Sequence, residues 1–391
     1  MTTNGTIARI LAGVLALAAI TLGARWLAFR RVDNQIYKAH VLDRNWKVLA
    51  GFERGKRMGR KVAVEMYPNT VTYRGGALAQ SVLGYYCPDI PFNNSSGLTG
   101  AHEEELYSGK DIMTTIDLGW QRLADSLLWN EAKDIQGFEQ ACLVVMDVRN
   151  GELPVIVNLS HKSDDGYGLG NRAMEQEYEP GPVMEPLTWT VALKDGMFRS
   201  KEAMAEVISS GKIAKTYKAM PEHFTRSFKD CLLQDGYIRD DIHEANNAVI
   251  YGPESKDWSE SMVDELAQGW TMKMTATHIA AFYSTLATGV RRLPYLVKKI
   301  RNEEPKIIGE EKSLIIGKLD EYGSANLVGR SSKSRWCGYA AETFAGIFPK
   351  ENPQFAIVCA VFTTRLPEAY RMTCVPEKVA TEFSERSNIK K

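Results

Sequence analysis

Neither sign of charge predominates in this chain of 391 residues, where 48 lysines and arginines meet 48 aspartates and glutamates. A net charge of zero supplies no field to attract a polyanion, and no long basic run makes up for it, so nucleic-acid binding is disfavoured. Cysteine is sparse and scattered, at Cys87, Cys142, Cys231, Cys337, Cys359 and Cys374. No CxxC pair occurs, which argues against a thiolate metal site or a redox pair, and the spacing supports no disulfide framework. An extracytoplasmic location would still leave disulfides open. Cys142 in ACLVVMDV and Cys359 in FAIVCAVF lie inside apolar runs and read as small buried hydrophobes. The six histidines never fall at HExxH spacing, and no GxxxxGK[ST] phosphate loop is present. Gly166, Gly168 and Gly170 do not complete GxGxxG and read as a turn. No metal and no cofactor are expected, and no internal repeat is visible.

Long apolar runs are also rare, with one exception. Residues Ile7 to Phe29 carry charge only near their ends, at Arg9 and Arg25, with Trp26 beside the second. That pattern reads as a single membrane span with an interfacial anchor. A cleaved signal peptide competes, because the uncharged centre from Ile10 to Ala24 is short and TLGA offers small residues for cleavage. Arg25, Arg30, Arg31 and Lys38 come after the span while only Arg9 and the α-amino group precede it. Counted alone, that bias places the large domain inside the cell, but long domains translocate largely regardless of flanking charge.

Beyond the span the chain is polar to about Lys61, then rich in Gly, Pro, Asn and Ser to Gly100, a composition that suits an extended or small β-rich connector. Asp117 is placed to cap a helix carrying Leu118, Leu123, Leu127 and Leu128. In ACLVVMDVRNGELPVIVNLS two apolar runs meet at Asn150 and Gly151, a strong hairpin signal. A second pair, YAAETFAGIFP and QFAIVCAVFTT, flanks a turn at Lys350 to Pro353. Helices are expected at Trp189–Leu193, Glu202–Ile208 and Met274–Leu286, and the acidic triple Glu103 to Glu105 reads as solvated surface. Hairpins at both ends of a helical middle indicate an α+β domain whose sheet is assembled from chain-distant strands.

One set of segments converges in order along the chain. VLDRNWKVLA at Val41 to Ala50 is similar to a DRNG segment, with Trp46 in place of the glycine. YPN at Tyr67, VLGY at Val82 to Tyr85 and GLTG at Gly97 to Gly100 come next. MTTIDLGWQRLADSLL at Met113 to Leu128, VVMDVRNGEL, NRAMEQEYEPG, GWTMKMTATHIAAFYSTLATG and FAGIFPKENPQFAIV complete the series. From about residue 36 to 385 the chain resembles the class B penicillin-binding proteins, membrane-anchored transpeptidases that cross-link peptidoglycan. The resemblance implies an antiparallel sheet flanked by helices, as in serine β-lactamases. It also implies an organisation: a cytoplasmic N-terminus at 1–6, an anchor at 7–29, a reduced pedestal and connector at 30–112, a transpeptidase-like domain at 113–385 and a tail at 386–391. The domain would then lie outside the inner membrane of a bacterium, in the periplasm, against the charge count.

Activity in that family depends on three motifs, SxxK, SxN and KTG. The serine attacks a peptide or β-lactam carbonyl and needs a base to take its proton. Here EPGPVMEP stands in the place of EPGSxxKP, so Pro182 occupies the nucleophile position and Glu185 the lysine position. The resemblance makes the nucleophile's own N–H an oxyanion-hole donor, and proline has none. Losing one such donor costs on the order of 100-fold to 1000-fold in rate. VGRSSKS replaces GKTGT: Arg330 keeps the charge, Ser331 keeps a hydroxyl, and Ser332 adds a side chain where glycine admits substrate. No convincing SxN equivalent is present; Ser209, Ser227 and Asn247 are candidates by distance only, and the interval from Pro182 to Gly269 is short for the family. Pro182 and Glu185 are also what a helix start prefers, proline at its first position and an acid in its first turn, which competes with new chemistry around Glu185. Arg330 to Lys333 read as a plain strand, or as retained anion or peptide binding at Arg330 and Ser331.

Two functions are therefore implied. One is a non-catalytic, membrane-anchored scaffold or regulator of cell-wall synthesis or division, with a polytopic glycosyltransferase or an active paralogue as partner. The other is a divergent transpeptidase or receptor that still binds peptidoglycan stem peptides or β-lactams in the old cleft.

Overall fold

The computed structural model describes residues 38–54, 62–65, 72–73, 76–84, 97–107, 109–160, 170–197, 210–232, 247–298, 308–309, 312–320, 326–336, 339–364 and 375–387. The apolar run at 7–29, Tyr67, Tyr85, Gly166, Gly168, Ser209, the expected helix at 202–208 and Cys87, Cys337 and Cys374 lie outside them. No helix among the described residues is long and apolar enough to cross a membrane.

The strands are β1 (Lys38–Leu42), β2 (Val48–Arg54), β3 (Val62–Glu65), β4 (Thr72–Tyr73), β5 (Gly76–Ala77), β6 (Ile112–Met113), β7 (Phe138–Asp147), β8 (Val155–Ser160), β9 (Val249–Ile250), β10 (Met272–Lys273), β11 (Val328–Trp336), β12 (Tyr339–Phe348) and β13 (Phe355–Thr363). The helices are α1 (Gln80–Leu83), α2 (Gly97–Ala101), α3 (Glu103–Tyr107), α4 (Leu118–Ala132), α5 (Arg172–Glu175), α6 (Glu185–Lys194), α7 (Ser210–Tyr217), α8 (Pro221–Cys231), α9 (Met262–Ala267), α10 (Ala276–Thr288), α11 (Lys312–Asp320) and α12 (Val375–Arg386). The acidic triple falls in α3, where Glu104 and Glu105 are exposed.

The main sheet has the order β11-β12-β13-β7-β8, every pair antiparallel. Both expected hairpins form, and β13 carries the second one onto the first by pairing with β7. The sheet is thus built from the two ends of the domain. Period-2 alternation splits its core. Cys142, Val144 and Met146 of β7 face a large helical body, whereas Leu143 and Val145 face α4 and α12. Cys359 of β13 joins the second face. Cys142 and Cys359 therefore sit on neighbouring strands but opposite sides of the sheet, both free and buried.

Asp117 caps α4 as expected, its side chain accepting from the Gly119 and Trp120 amides at 2.9 and 3.1 Å. One turn later Gln121 seals the outer edge of β8: its carbonyl oxygen accepts from the Ile156 amide at 2.9 Å and its amide donates to the Leu78 carbonyl at 3.0 Å. That single side chain joins the connector to the sheet. Asp125, a further turn along, is buried, and its Oδ2 has no hydrogen-bond partner among the described residues. Burial raises its pKa to about 6.

The helix expected at Met274–Leu286 is α10, shifted by two residues because Met274 pairs with Tyr178 in an isolated bridge. It is buried from Ala276 to Ala287, and it starts with Thr275 and His278 capping each other. Burial lowers the His278 pKa to about 3, so the ring is neutral. A smaller sheet, β3-β2-β1-β6, stands beside the main domain, with β1 parallel to β6. Short helices α1 and α2 bury Val82, Leu83 and Leu98, so this region is less purely extended than its Gly- and Pro-rich composition suggests.

Candidate functional site

The segment EPGPVMEP folds as one 3-10 turn, Gly181–Met184, running directly into α6. Gly181 has φ +65, and a methyl there would stand 2.7 Å from the Trp270 ring. Its N–H donates to the Gly269 carbonyl at 3.0 Å. Only glycine meets both demands. Pro182, half-buried, takes the second place of the turn, where its missing N–H breaks no ladder. Tyr283 of α10 donates its hydroxyl to the Val183 carbonyl at 2.8 Å, and burial raises its pKa further above the ordinary tyrosine range. Thr188 of α6 donates to the Ala267 carbonyl at 2.7 Å. The turn is held from three sides.

β11 closes the fourth. Arg330 and Ser332 project from one face of this strand, and Ser331 from the other. Arg330 forms an ion pair with Glu185, the two side chains only 14% and 15% exposed. Its guanidinium also lies over the Trp189 ring, 5.3 Å from the centroid. Trp189 is four residues after Glu185 and so shares its helix face. Ser332 donates its hydroxyl to the Pro180 carbonyl at 2.5 Å. On the reverse face, Ser331 donates to Glu377 of α12 at 3.0 Å, and Lys333 lies 3.7 Å from Glu342. Arg330 and Ser331, expected as a residual binding pair, do not share a face, because side chains alternate along a strand.

The structure thus gathers Pro182, Glu185, Arg330 and Ser332 and separates Ser331 from them. Glu185 is the first residue of α6, where an anion complements the helix dipole, as the helix-start reading expects. It is more than that, because it is also the counter-ion of a residue on the sheet. Ser227 lies mid-way along α8, and Asn247 opens the segment leading to β9. The spacing gave no signal for Trp189, Trp270 or Tyr283, which frame the turn. Beside the turn, burial and then the Glu265 carboxylate raise the pKa of Glu179, against the opposing pull of Lys273 and a Thr271 backbone hydrogen bond.

The Ser332 hydroxyl is spent on a backbone carbonyl, and the Glu185 carboxylate is spent on a guanidinium. Among the described residues no group of three His, Cys, Asp or Glu side chains is placed to hold a metal.

Residues 141–220 match a family profile described as the penicillin binding protein transpeptidase domain. Over those residues the chain is similar to a penicillin-binding-protein transpeptidase domain. The chain is 21% identical over 304 residues to the peptidoglycan D,D-transpeptidase FtsI of Escherichia coli, an alignment covering 62% of this chain and 49% of that protein. It therefore spans about half the length of this relative. Its fold is similar to that of penicillin-binding protein 3 from Mycobacterium tuberculosis, with a TM-score of 0.70, 16% identity, and coverage of 90% of this chain and 97% of that one. PBPA from the same organism gives a TM-score of 0.66 at 14% identity, covering 90% of this chain and all of the other. At such identities the structural likeness speaks for the fold alone.

Proposed function

We propose that this chain is a non-catalytic member of the transpeptidase group, acting as a membrane-anchored scaffold or regulator in peptidoglycan synthesis or division. The observation that carries the reading is the pairing of Glu185 with Arg330 beside Pro182. The position of the nucleophile has neither hydroxyl nor N–H, and the space in front of it is spanned by an internal ion pair. A stem peptide carboxylate would have to displace Glu185 from Arg330, and Ser332 joins the strand to the turn where a substrate backbone would enter. These features favour a scaffold over a receptor in the old cleft. The partners in this proposal are cell-wall synthesis proteins, a polytopic glycosyltransferase or an active paralogue, and the location is the outer face of the cytoplasmic membrane.

The test is covalent labelling of the full chain with a fluorescent penicillin. No labelled band is expected at concentrations that saturate an active penicillin-binding protein. A band whose adduct maps by mass spectrometry to any serine of this chain would overturn the proposal.

A further inference from the structure

Cys231 closes α8 with its side chain buried, at 2% exposure, but its sulfur does not have apolar neighbours alone. The ammonium of Lys194, the last residue of α6, lies 3.7 Å from it. Lys194 is exposed, so the sulfur sits just beneath the surface. A second cation straddles the same residue. Arg291 donates from one guanidinium nitrogen to the carbonyls of Asp230 and Leu232, at 3.3 and 3.5 Å. Its Nε is buried and has no hydrogen-bond partner among the described residues. An ammonium gains little from a neutral thiol, and a buried guanidinium N–H left unpaired costs stability. Both would gain charge-assisted or polar bonds from a sulfur that carried an oxygen.

The contact is fixed from both ends. Asp195, directly after Lys194, accepts from the Tyr217 hydroxyl at 2.5 Å and lies 2.9 Å from His223 Nε2, which ties the end of α6 to α7 and α8. Arg291 holds the end of α8. Amine and sulfur are therefore neighbours before any reaction, and a step between them is intramolecular. Burial raises the pKa of the thiol, with Asp230 adding to it, while Lys194 and then Arg291 pull it down. Thiolate is scarce, so attack on an oxidant is slow, and burial admits a small peroxide more readily than a bulky disulfide. The other described cysteines, Cys142 and Cys359, are free and buried in the main sheet, away from α8. An oxidised Cys231 thus meets an amine rather than a thiol.

We propose that Lys194 and Cys231 form a reversible covalent cross-link when the chain is exposed to a hydroperoxide. The thiolate attacks a peroxide oxygen: an S–O bond forms, the O–O bond breaks, and the cysteine is oxidised to sulfenic acid as hydrogen peroxide is reduced to water. The unpaired Arg291 N–H is available to the new oxygen. The unprotonated Lys194 amine then attacks the sulfur. An S–N bond forms, the S–O bond breaks, and the hydroxyl leaves as water with a proton from the nitrogen. The product is a sulfenamide, two hydrogens lighter than the separate side chains. Two equivalents of thiol return the cysteine and the amine and leave as a disulfide. The link would staple α6, the helix that starts at Glu185, to α8, and it stands independently of the scaffold reading.

The test treats the detergent-solubilised full chain with hydrogen peroxide, removes the excess and maps the digest by mass spectrometry. A joined pair of peptides containing Lys194 and Cys231, two hydrogens lighter than their sum, is expected in the wild type and is expected to disappear on treatment with dithiothreitol. Lys194→Arg keeps the charge but lacks a nucleophilic amine, so its Cys231 should proceed to the sulfinic acid with no link. Peroxide should raise the melting temperature of the wild type and leave that of Lys194→Arg unraised. A wild-type Cys231 recovered as free thiol, or as sulfinic acid with Lys194 unmodified, or linked to any other residue, would overturn the proposal.

Discussion

Reversing one charge of the Glu185–Arg330 pair tests the site most directly. Glu185→Lys would set an ammonium against the Arg330 guanidinium at two positions about 15% exposed. Two unit charges about 4 Å apart interact by ~4 kcal/mol at an effective dielectric of about 20. Removing one partner of a buried pair typically costs about 3–5 kcal/mol, and the residual exposure lowers that. A destabilisation of about 3 kcal/mol is expected for Glu185→Lys, and about 2 kcal/mol for Glu185→Gln, which removes the charge and keeps the shape. The swap Glu185→Arg with Arg330→Glu should recover part of the loss. Recovery stays incomplete because a cation at the first position of α6 opposes the dipole by about 0.3–1 kcal/mol and the contact with Trp189 is lost for about 0.5–1 kcal/mol more. The assay is the urea midpoint of the detergent-solubilised full chain at fixed ionic strength, with the two single variants and the swap forming a cycle. Additive effects, or single variants within about 0.5 kcal/mol of the wild type, would refute the claim that this pair holds the strand to the turn.

Three further outcomes are expected from the same geometry. Pro182→Ser combined with Glu185→Lys should gain no acylation by fluorescent penicillin, because Ser332 still bonds to the backbone carbonyl of Pro180 and Arg330 loses its counter-ion; an adduct mapped to position 182 would show the rest of the site intact. Asp125 has a folded pKa raised from 3.8 to about 6, so its contribution to stability is fully present below pH 3.8 and is lost as the pH rises through 6. Asp125→Asn should therefore raise stability at pH 7.5 by about 2 kcal/mol and leave it little changed at pH 4, as read from melting curves at both values. Gly181→Ala forces a side chain into φ +65 and into the Trp270 ring, and a loss of about 2 kcal/mol or more is expected in the urea midpoint.

Much of the architecture was legible because it is written in short-range chemistry. Asp117 before a leucine-periodic run, Asn150-Gly151 between two β-prone runs, and the apolar stretch from Met274 to Leu286 each act over a few residues, and each produced the expected element. The start of α10 differed by two residues because Met274 found a bridge partner in Tyr178, a contact that periodicity cannot see. Side-chain direction on β11 was the larger omission. Arg330 and Ser331 look equivalent as neighbours in sequence, but the pleat sends one to Glu185 and the other to Glu377.

By itself the sequence determined what position 182 lacks. A proline has no hydroxyl to attack with and no N–H to donate, whatever surrounds it, because those are properties of the residue and not of its environment. Tertiary structure alone decided what surrounds that proline. Glu185 begins a helix and Arg330 lies in a strand more than a hundred residues away, and nothing local to either predicts the other. They meet because the register of β11 on β12, with the packing of β11 against the Gly181–Met184 turn, brings opposite charges together in a nearly closed space, where leaving either alone would be costly.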